Sequence, residues 1–375
     1  MLAVKEALTK KELNDFFALP QILYRGNRYN APSFIAEEKA EFDPKINGAF
    51  EFCIARKFVA YRDNKIVGRI AGIFNQKYNE KKNVKQVRFT RFDCIYDFDV
   101  ARALIAKIEE WAQFLGMNEI IGPIGFSDMD KQGMLIEGFD EIDMYVTPYN
   151  HAYYPVLIEK LGYKKAADWV EYEIKIPSSP DEKLEKLERI AEIAMRRFGF
   201  TYLEVKKYKD IGPYIMEALT VVMNEAFAPL YGVAPINERQ AKREADMIKL
   251  VFSPDFTTAV MKDGRVAGYG FMAPNITRGM QVCNGKLSIH GILAILRDLK
   301  KYDKVDFYSI GVLEAYQSKG VNAMILARGL KNLIKNKVKY VYTGPELETN
   351  SKVQAQWDAF EKRIHRRRRC YSKTL

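Results

Sequence analysis

Two tandem α/β domains (of α+β kind), each a mixed, mostly antiparallel sheet flanked by helices, are predicted by three features of the sequence. A β-hairpin pattern occurs twice: Phe58–Arg62 and Lys65–Gly72 around Asp63-Asn64, then Thr257–Met261 and Arg265–Phe271 around Asp263-Gly264. Asx and Gly suit such turns because the two central positions need positive φ. Each hairpin precedes, in the same order, a strand, a long amphipathic helix and a short strand, so the chain reads as an internal duplication. At 375 residues it also exceeds what one small core organises. Domains over 1–176 and 201–375 follow, joined by a linker and connecting helix over 177–200.

Taken in order, Lys10 to Phe17 and Pro20 to Arg28 suggest short helical pieces, and Pro32 and Phe34 interrupt before a helical Ile35 to Glu41. After the first hairpin, Val87 to Cys94 reads as a strand. Asp99 to Leu115 reads as an amphipathic helix with Gly116 in the C-cap place, and Glu119 to Gly122 as a further strand. Asn150-His151-Ala152-Tyr153-Tyr154 opens a helix that Leu161-Gly162-Tyr163-Lys164 closes. Pro177-Ser178-Ser179-Pro180 is a connector into the helical Leu184 to Arg197. The second hairpin is followed by an apolar-periodic insertion, Leu287 to Leu299, then by the strand from Asp306 to Leu313. The last long helix places Met324, Ile325, Ala327, Leu330, Leu333 and Ile334 at helical spacing, and Tyr340–Tyr342 is the closing strand. Lys362, Arg363 and Arg366–Arg369 form a basic terminal strand or tail, solvated on one face, since only alternate strand residues share a face.

Apolar residues make up 48% and charged residues 29% of the chain, an ordinary globular composition. No apolar run approaches a bilayer span and the N-terminus has no signal-peptide core, so a cytoplasmic protein with no membrane partner is expected. Cys53, Cys94, Cys283 and Cys370 are scattered, with no histidine at metal spacing, and read as reduced thiols with no metal site. The net charge of +11 suits nucleic acid, an anionic membrane surface or an anionic cofactor, and by itself does not choose among them.

Between the strand ending at Leu313 and the helix after Asn322 lies Glu314-Ala315-Tyr316-Gln317-Ser318-Lys319-Gly320-Val321-Asn322. A strand feeding a helix through such a turn presents backbone N–H groups and the positive end of the helix dipole at one point, which suits a phosphate or pyrophosphate. Gln317, Ser318, Lys319 and Gly320 resemble the acyl-CoA-binding motif of the GNAT N-acetyltransferase superfamily, with Asn322 where a small residue belongs. The chain as a whole resembles bacterial tandem GNAT-like proteins through Gly122-Pro123-Ile124-Gly125-Phe126-Ser127 and Glu137-Gly138-Phe139-Asp140.

The resemblance implies acetyl-CoA, or another acyl-CoA, in a gap between splayed strands of the second domain. Ile310 and Val312 would be backbone partners of the pantetheine. Gln317, Ser318, Lys319, Gly320, Val321 and Asn322 would surround the pyrophosphate, with Asn350 near the thiol or simply an N-cap. Glu314 is the nearest carboxylate for the amine proton. The family's tyrosine proton donor falls on Trp357, which leaves Tyr316, Tyr342 and Tyr371 as substitutes. In the first domain Asp93, Asp97 and Asp99 occupy the place of the phosphate loop, and their charge would repel a pyrophosphate. That domain is therefore expected to have lost its cofactor and to serve the acceptor through Ser127, Asp128, Asp130, Asn150, Tyr153 and Tyr154, or else to use these as turn and capping residues. The expected activity is N-acetyl transfer to a small-molecule amine. A tandem-GNAT aminoacyltransferase using aminoacyl-tRNA and a non-catalytic acyl-CoA or metabolite binder are the alternatives.

Overall fold

A computed structural model describes residues 1–375. The strands are β1 (Leu2–Glu6), β2 (Cys53–Arg62), β3 (Lys65–Asn75), β4 (Gln86–Cys94), β5 (Glu119–Gly122), β6 (Met134–Glu137), β7 (Lys164–Lys175), β8 (Thr201–Tyr202), β9 (Thr257–Lys262), β10 (Arg265–Pro274), β11 (Lys304–Val312), β12 (Tyr340–Thr343), β13 (Glu346–Leu347) and β14 (Lys362–Thr374). The helices are α1 (Lys10–Leu23), α2 (Ile35–Glu41), α3 (Gln76–Lys82), α4 (Phe98–Phe114), α5 (Tyr153–Lys160), α6 (Glu182–Phe198), α7 (Tyr208–Glu217), α8 (Asn224–Ala226), α9 (Glu238–Val251), α10 (Thr277–Cys283), α11 (Ile289–Lys300), α12 (Val321–Lys335) and α13 (Ser351–Gln354).

The chain forms two compact units. Unit 1 holds Met1–Val170, Ile276–Leu296 and His365–Leu375, and unit 2 holds Glu171–Asn275 and Arg297–Ile364. In unit 1 the strand order is β1-β2-β3-β4-β5-β14, with β4 and β5 parallel and the other pairs antiparallel. In unit 2 it is β8-β9-β10-β11-β12, with β11 and β12 parallel, and the end of β7 adds antiparallel to β12. The duplication expected from the two hairpins is thus a duplication of sheet pattern. Both turns have the positive φ that the sequence requires, at Asp63 and Asn64 and at Asp263 and Gly264.

The long helix packs on its sheet in the same way in each unit. A Cβ on Gly68 of β3 would lie 2.7 Å from Leu104 Cδ1 of α4, and one on Gly270 of β10 would lie 2.4 Å from Ile325 Cγ2 of α12. These glycines let helix and sheet approach closely. Around them lie Leu104, Ile108 and Trp111 in unit 1 and Met324, Ile325 and Ala327 in unit 2.

Several expectations change. The two pieces read over 10–28 are one helix ending at Leu23, with Pro20 inside it. The carbonyl that Pro20 cannot bond, that of Phe16, accepts a bond from the Arg69 guanidinium at 3.0 Å. The basic tail is indeed a strand, and the face that carries Arg363, Arg367 and Arg369 is partly solvated, while the other is not at Arg366 and Arg368. Arg366 and Arg368, alternate residues, are fully buried and both bond Asp143, while Arg369 bonds Asp168 and Arg363 bonds Glu173. These guanidinium groups are already matched by carboxylates. Finally, β14 pairs with β5 and β6, so the last strand from His365 onward counts with unit 1. A single cut near 177 does not express this, because strand pairing across the chain is not a property of local sequence.

Candidate functional site

The cleft of unit 2 is built by a strand that loses its neighbour. Parallel pairing of β11 with β12 runs from Lys304↔Tyr340 to Phe307↔Thr343 and stops there. The register of β11 against β10 shifts at the same point, leaving Tyr308 as the extra residue of a bulge. Beyond it β11 continues against β10 alone. The Leu313 N–H bonds Ala267 O at 3.0 Å, and Gly311 and Ser309 stand opposite Tyr269 and Phe271. Antiparallel strands alternate the direction of their backbone groups, so those of Ile310 and Val312 point to the opposite edge, where no strand lies. Only Gln317 Nε2 reaches Val312 O, at 3.4 Å.

The chain then turns through Glu314–Tyr316 and Ser318, with φ of 60°, to Gly320, the N-cap of α12 with φ of 88°. No side chain caps this helix, so its first-turn N–H groups are free to meet an anion. Lys319 is exposed beside it, and Asn322 bonds Gln356 at 3.2 Å. Val321, by contrast, is buried in the core, so only its backbone is available. Gly320 is also a packing residue, because a Cβ there would lie 2.7 Å from Ala194 Cβ of α6. Asn350 caps α13 by accepting from the Val353 N–H at 3.4 Å. Glu314 is exposed, and its N–H bonds Glu225. Tyr316 packs edge-on against Phe200 in the α6–α12 core, its ring centroid 5.4 Å away.

Two acids and one hydroxyl near the point of splay, those of Asp306, Glu346 and Tyr308, were missed by the sequence reading. Asp306 is fully buried and accepts from Asn275 Nδ2 at 2.8 and 3.1 Å and from Tyr308 Oη at 3.4 Å. Burial raises its pKa to about 7, against the lowering effect of those bonds. Glu346, also pushed up to about 7 by burial, accepts from the indole N–H of Trp357 at 2.8 Å, so Trp357 is the orienting donor of a buried carboxyl. Tyr342 accepts from Lys304 Nζ at 2.6 Å, and Tyr371 donates to Glu159 within unit 1. An acid inside an otherwise apolar strand, as in Val305-Asp306-Phe307-Tyr308, was the available signal. Behind the splay, Ile174, Met272, Phe307, Leu330, Val341 and Trp357 line a narrow apolar crevice.

In unit 1 the corresponding places are filled from within. Asp97 caps α4, accepting from the Asp99 and Val100 N–H groups at 3.0 and 3.2 Å, and is paired with Arg62 at 2.5 Å. Its carboxylate thus sits where an anion would sit in unit 2. Pairing of β4 with β5 also stops early, at Arg88↔Ile121. Here Tyr154 Oη takes the Cys94 N–H at 3.1 Å, and Tyr153 Oη donates to Cys94 O at 2.7 Å. Two side chains from α5 therefore satisfy the strand edge that unit 2 leaves open. Tyr24 and Arg69 close over the same strand by bonding Asp93, each at 2.7 Å. Asn150 is spent on the N–H and C=O of Leu135, and Ser127 and Asp130 hold a turn through the Ser127 N–H and Asp130 Oδ2 at 2.8 Å. Burial raises Asp128 to about 6. Of the residues expected at an acceptor site, Asn150 and Tyr154 line a cavity of about 100 Å³ together with Tyr24, Arg69, Asp93 and Lys131.

No protein-family model matches the chain. It is 24% identical over 383 residues to Protein YghO of Escherichia coli (strain K12), covering 99% of this chain and 95% of that one. It is 28% identical over 305 residues to a bacterial ceramide synthase of Caulobacter vibrioides (strain NA1000 / CB15N), covering 80% and 77%. Among solved structures, a tandem GNAT protein from the clavulanic acid biosynthesis pathway superposes on 100% of this chain and 98% of its own with a TM-score of 0.54 at 10% identity. A GCN5-related N-acetyltransferase from Sphaerobacter thermophilus does so over 100% and 95% with a TM-score of 0.50 at 11% identity. With the splayed parallel pair present once open and once closed, the fold of this chain is that of the tandem GNAT N-acetyltransferases.

Proposed function

We propose that the protein is an acyl-CoA-dependent N-acyltransferase that works at the cleft of unit 2 on an amine of lipid type. The observation that carries this reading is the unpaired edge of Ile310 and Val312 leading to the uncapped start of α12. A pantetheine amide chain would complete that edge, and a pyrophosphate would meet the N–H groups of the helix terminus. Unit 1 offers neither, since Asp97, Tyr153 and Tyr154 occupy both places. The bound acyl-CoA would supply the activated acyl group.

An acyl group longer than acetyl is supported by the crevice that starts at Phe307, the last paired residue of β11. At about 30 Å³ it has room for about two waters and no more. A chain would advance by displacing Met272, an unbranched and adaptable side chain lying over Gly329. The likeness to a bacterial ceramide synthase points the same way, because ceramides are N-acylated lipid amines.

The amine must lose a proton before it attacks. Asp306, beside Phe307 and raised to about 7, is suited to accept one near neutral pH, and it is bonded by the hydroxyl of Tyr308, the bulge residue. Exposed Glu314 is the other candidate. In Asp306→Asn, turnover should fall by about tenfold or more and the ascending limb of the pH profile near neutrality should vanish. Glu314→Gln with the larger loss would reverse the assignment.

Cofactor binding is tested separately by Asn322→Asp, an exposed change that puts a negative charge on the first turn of α12. Calorimetry should show acyl-CoA affinity lower by about tenfold. Unchanged affinity, or no thiol release with long-chain acyl-CoA and a long-chain 2-amino alcohol, would overturn the reading.

A further inference from the structure

Helix α11, in the segment between β10 and β11, turns its apolar face outward. Gly291 is buried and a Cβ on Gly279 would lie 2.7 Å from Ile295, which fixes the inward side. On the other side Ile289, Ile292, Leu293 and Leu296 follow the i, i+3, i+4, i+7 spacing of one helical stripe, and all four are exposed, Ile289 at 76% and Leu293 at 60%. Leu287, 63% exposed, precedes them. A soluble helix with a single apolar face buries that face, so this arrangement is inverted.

The borders of the stripe indicate what meets it. Lys286 stands before it, Arg297 emerges on its flank, Lys300 closes the stripe four residues after Leu296, and Lys301 follows, all exposed. The one acid of the helix, Asp298, falls on the opposite side from Ile289 and is partly buried. A second copy packed on this stripe would bring two such sets of cations together, which disfavours a homodimer there. Apolar residues rimmed by lysine and arginine match the interface of an anionic bilayer, where the side chains insert among acyl chains and the cations lie at the headgroups.

We infer that α11 is a membrane-surface docking helix, which lays Leu287, Ile289, Ile292, Leu293 and Leu296 into the boundary of an anionic lipid leaflet. No helix of the protein is long and apolar enough to cross a membrane, and docking along the surface requires none. The expectation of no membrane partner rested on the missing span, whereas the net charge of +11 had left an anionic surface open. Such docking would deliver the enzyme to lipid-soluble substrates, but it does not depend on the proposed chemistry.

Co-sedimentation of the full chain with vesicles tests this directly. Wild type should bind vesicles of phosphatidylcholine with phosphatidylglycerol and bind pure phosphatidylcholine weakly, with affinity falling as salt rises. Leu293→Asp should lower affinity by about tenfold or more, and Arg297→Gln with Lys300→Gln should lower it by about fivefold each. These sites are exposed, so melting temperatures should stay at the wild-type value. Failure of wild type to bind anionic vesicles, or equal binding by Leu293→Asp, would overturn the inference. So would a wild-type dimer in sedimentation analysis that Leu293→Asp converts to monomer, since a second copy would then be the occupant.

Discussion

Asp143, Arg366 and Arg368 show how much a single residue means once its partners are known. Two guanidinium groups and one carboxylate, all without exposure, form an ion cluster that hydrophobic residues could in principle replace together but not singly. Arg366→Met should therefore cost about 3 kcal/mol or more, read as a loss of melting temperature, because Asp143 would be left short of a partner. Gly329 gives a residue-scale test of the acyl crevice. A Cβ there would stand 3.1 Å from Met272 Cε, so Gly329→Leu should pin Met272 and close the space. Its KM should rise for long-chain acyl-CoA and stay unchanged for acetyl-CoA. Gly320, by contrast, is a poor probe of the pyrophosphate, since its left-handed backbone and its contact with Ala194 make any substitution structural.

The helix termini of the two units separate one function from two copies of a fold. α4 and α12 occupy the same place after a bulged strand, yet α4 is capped by Asp97 and α12 by a glycine without a side-chain bond. Removing the cap in Asp97→Ala should destabilise the protein by about 1 kcal/mol and should confer no CoA binding on unit 1, because Tyr153 and Tyr154 still occupy the strand edge. Tyr153→Phe gives up one neutral bond to Cys94 O and should lower stability by about 1 kcal/mol with acyl-CoA affinity unchanged. A large loss of turnover in that variant would instead revive the acceptor role expected for Tyr153.

For the molecule as a whole, buried carboxyls set the dependence of stability on pH. Asp306 and Glu346 are both raised to about 7 from ordinary values of 3.8 and 4.5, so between those limits the native state holds more protons than the unfolded chain. Stability contributed by these groups is present at the acid end and falls as pH rises toward 7, beyond which it is level. In Asp306→Asn the fall should be smaller, as seen by denaturant titration at pH 5 and pH 8. A fall of the same size in the variant would mean that Asp306 is ionised in the native protein at both values.

By itself the sequence determined what local patterning controls. The hairpins are legible because Asp63-Asn64 and Asp263-Gly264 sit between alternating residues, and the long helices because apolar spacing and caps agree over several turns. The turn at 317–322, proposed to meet an anion, and its acidic counterpart at 93–99 are legible for the same reason, since charge and glycine placement act within a few residues. Only the tertiary structure decided what depends on distant partners. That Arg366 and Arg368 are core residues follows from Asp143, that Tyr153 and Tyr154 close a cleft follows from the bulge in β4, and that Pro20 is tolerated within α1 follows from Arg69. Asp306 and the outward face of α11 belong with these. A side chain's proton affinity and a helix's free face are set by what the rest of the chain packs against them, and periodicity carries no record of that.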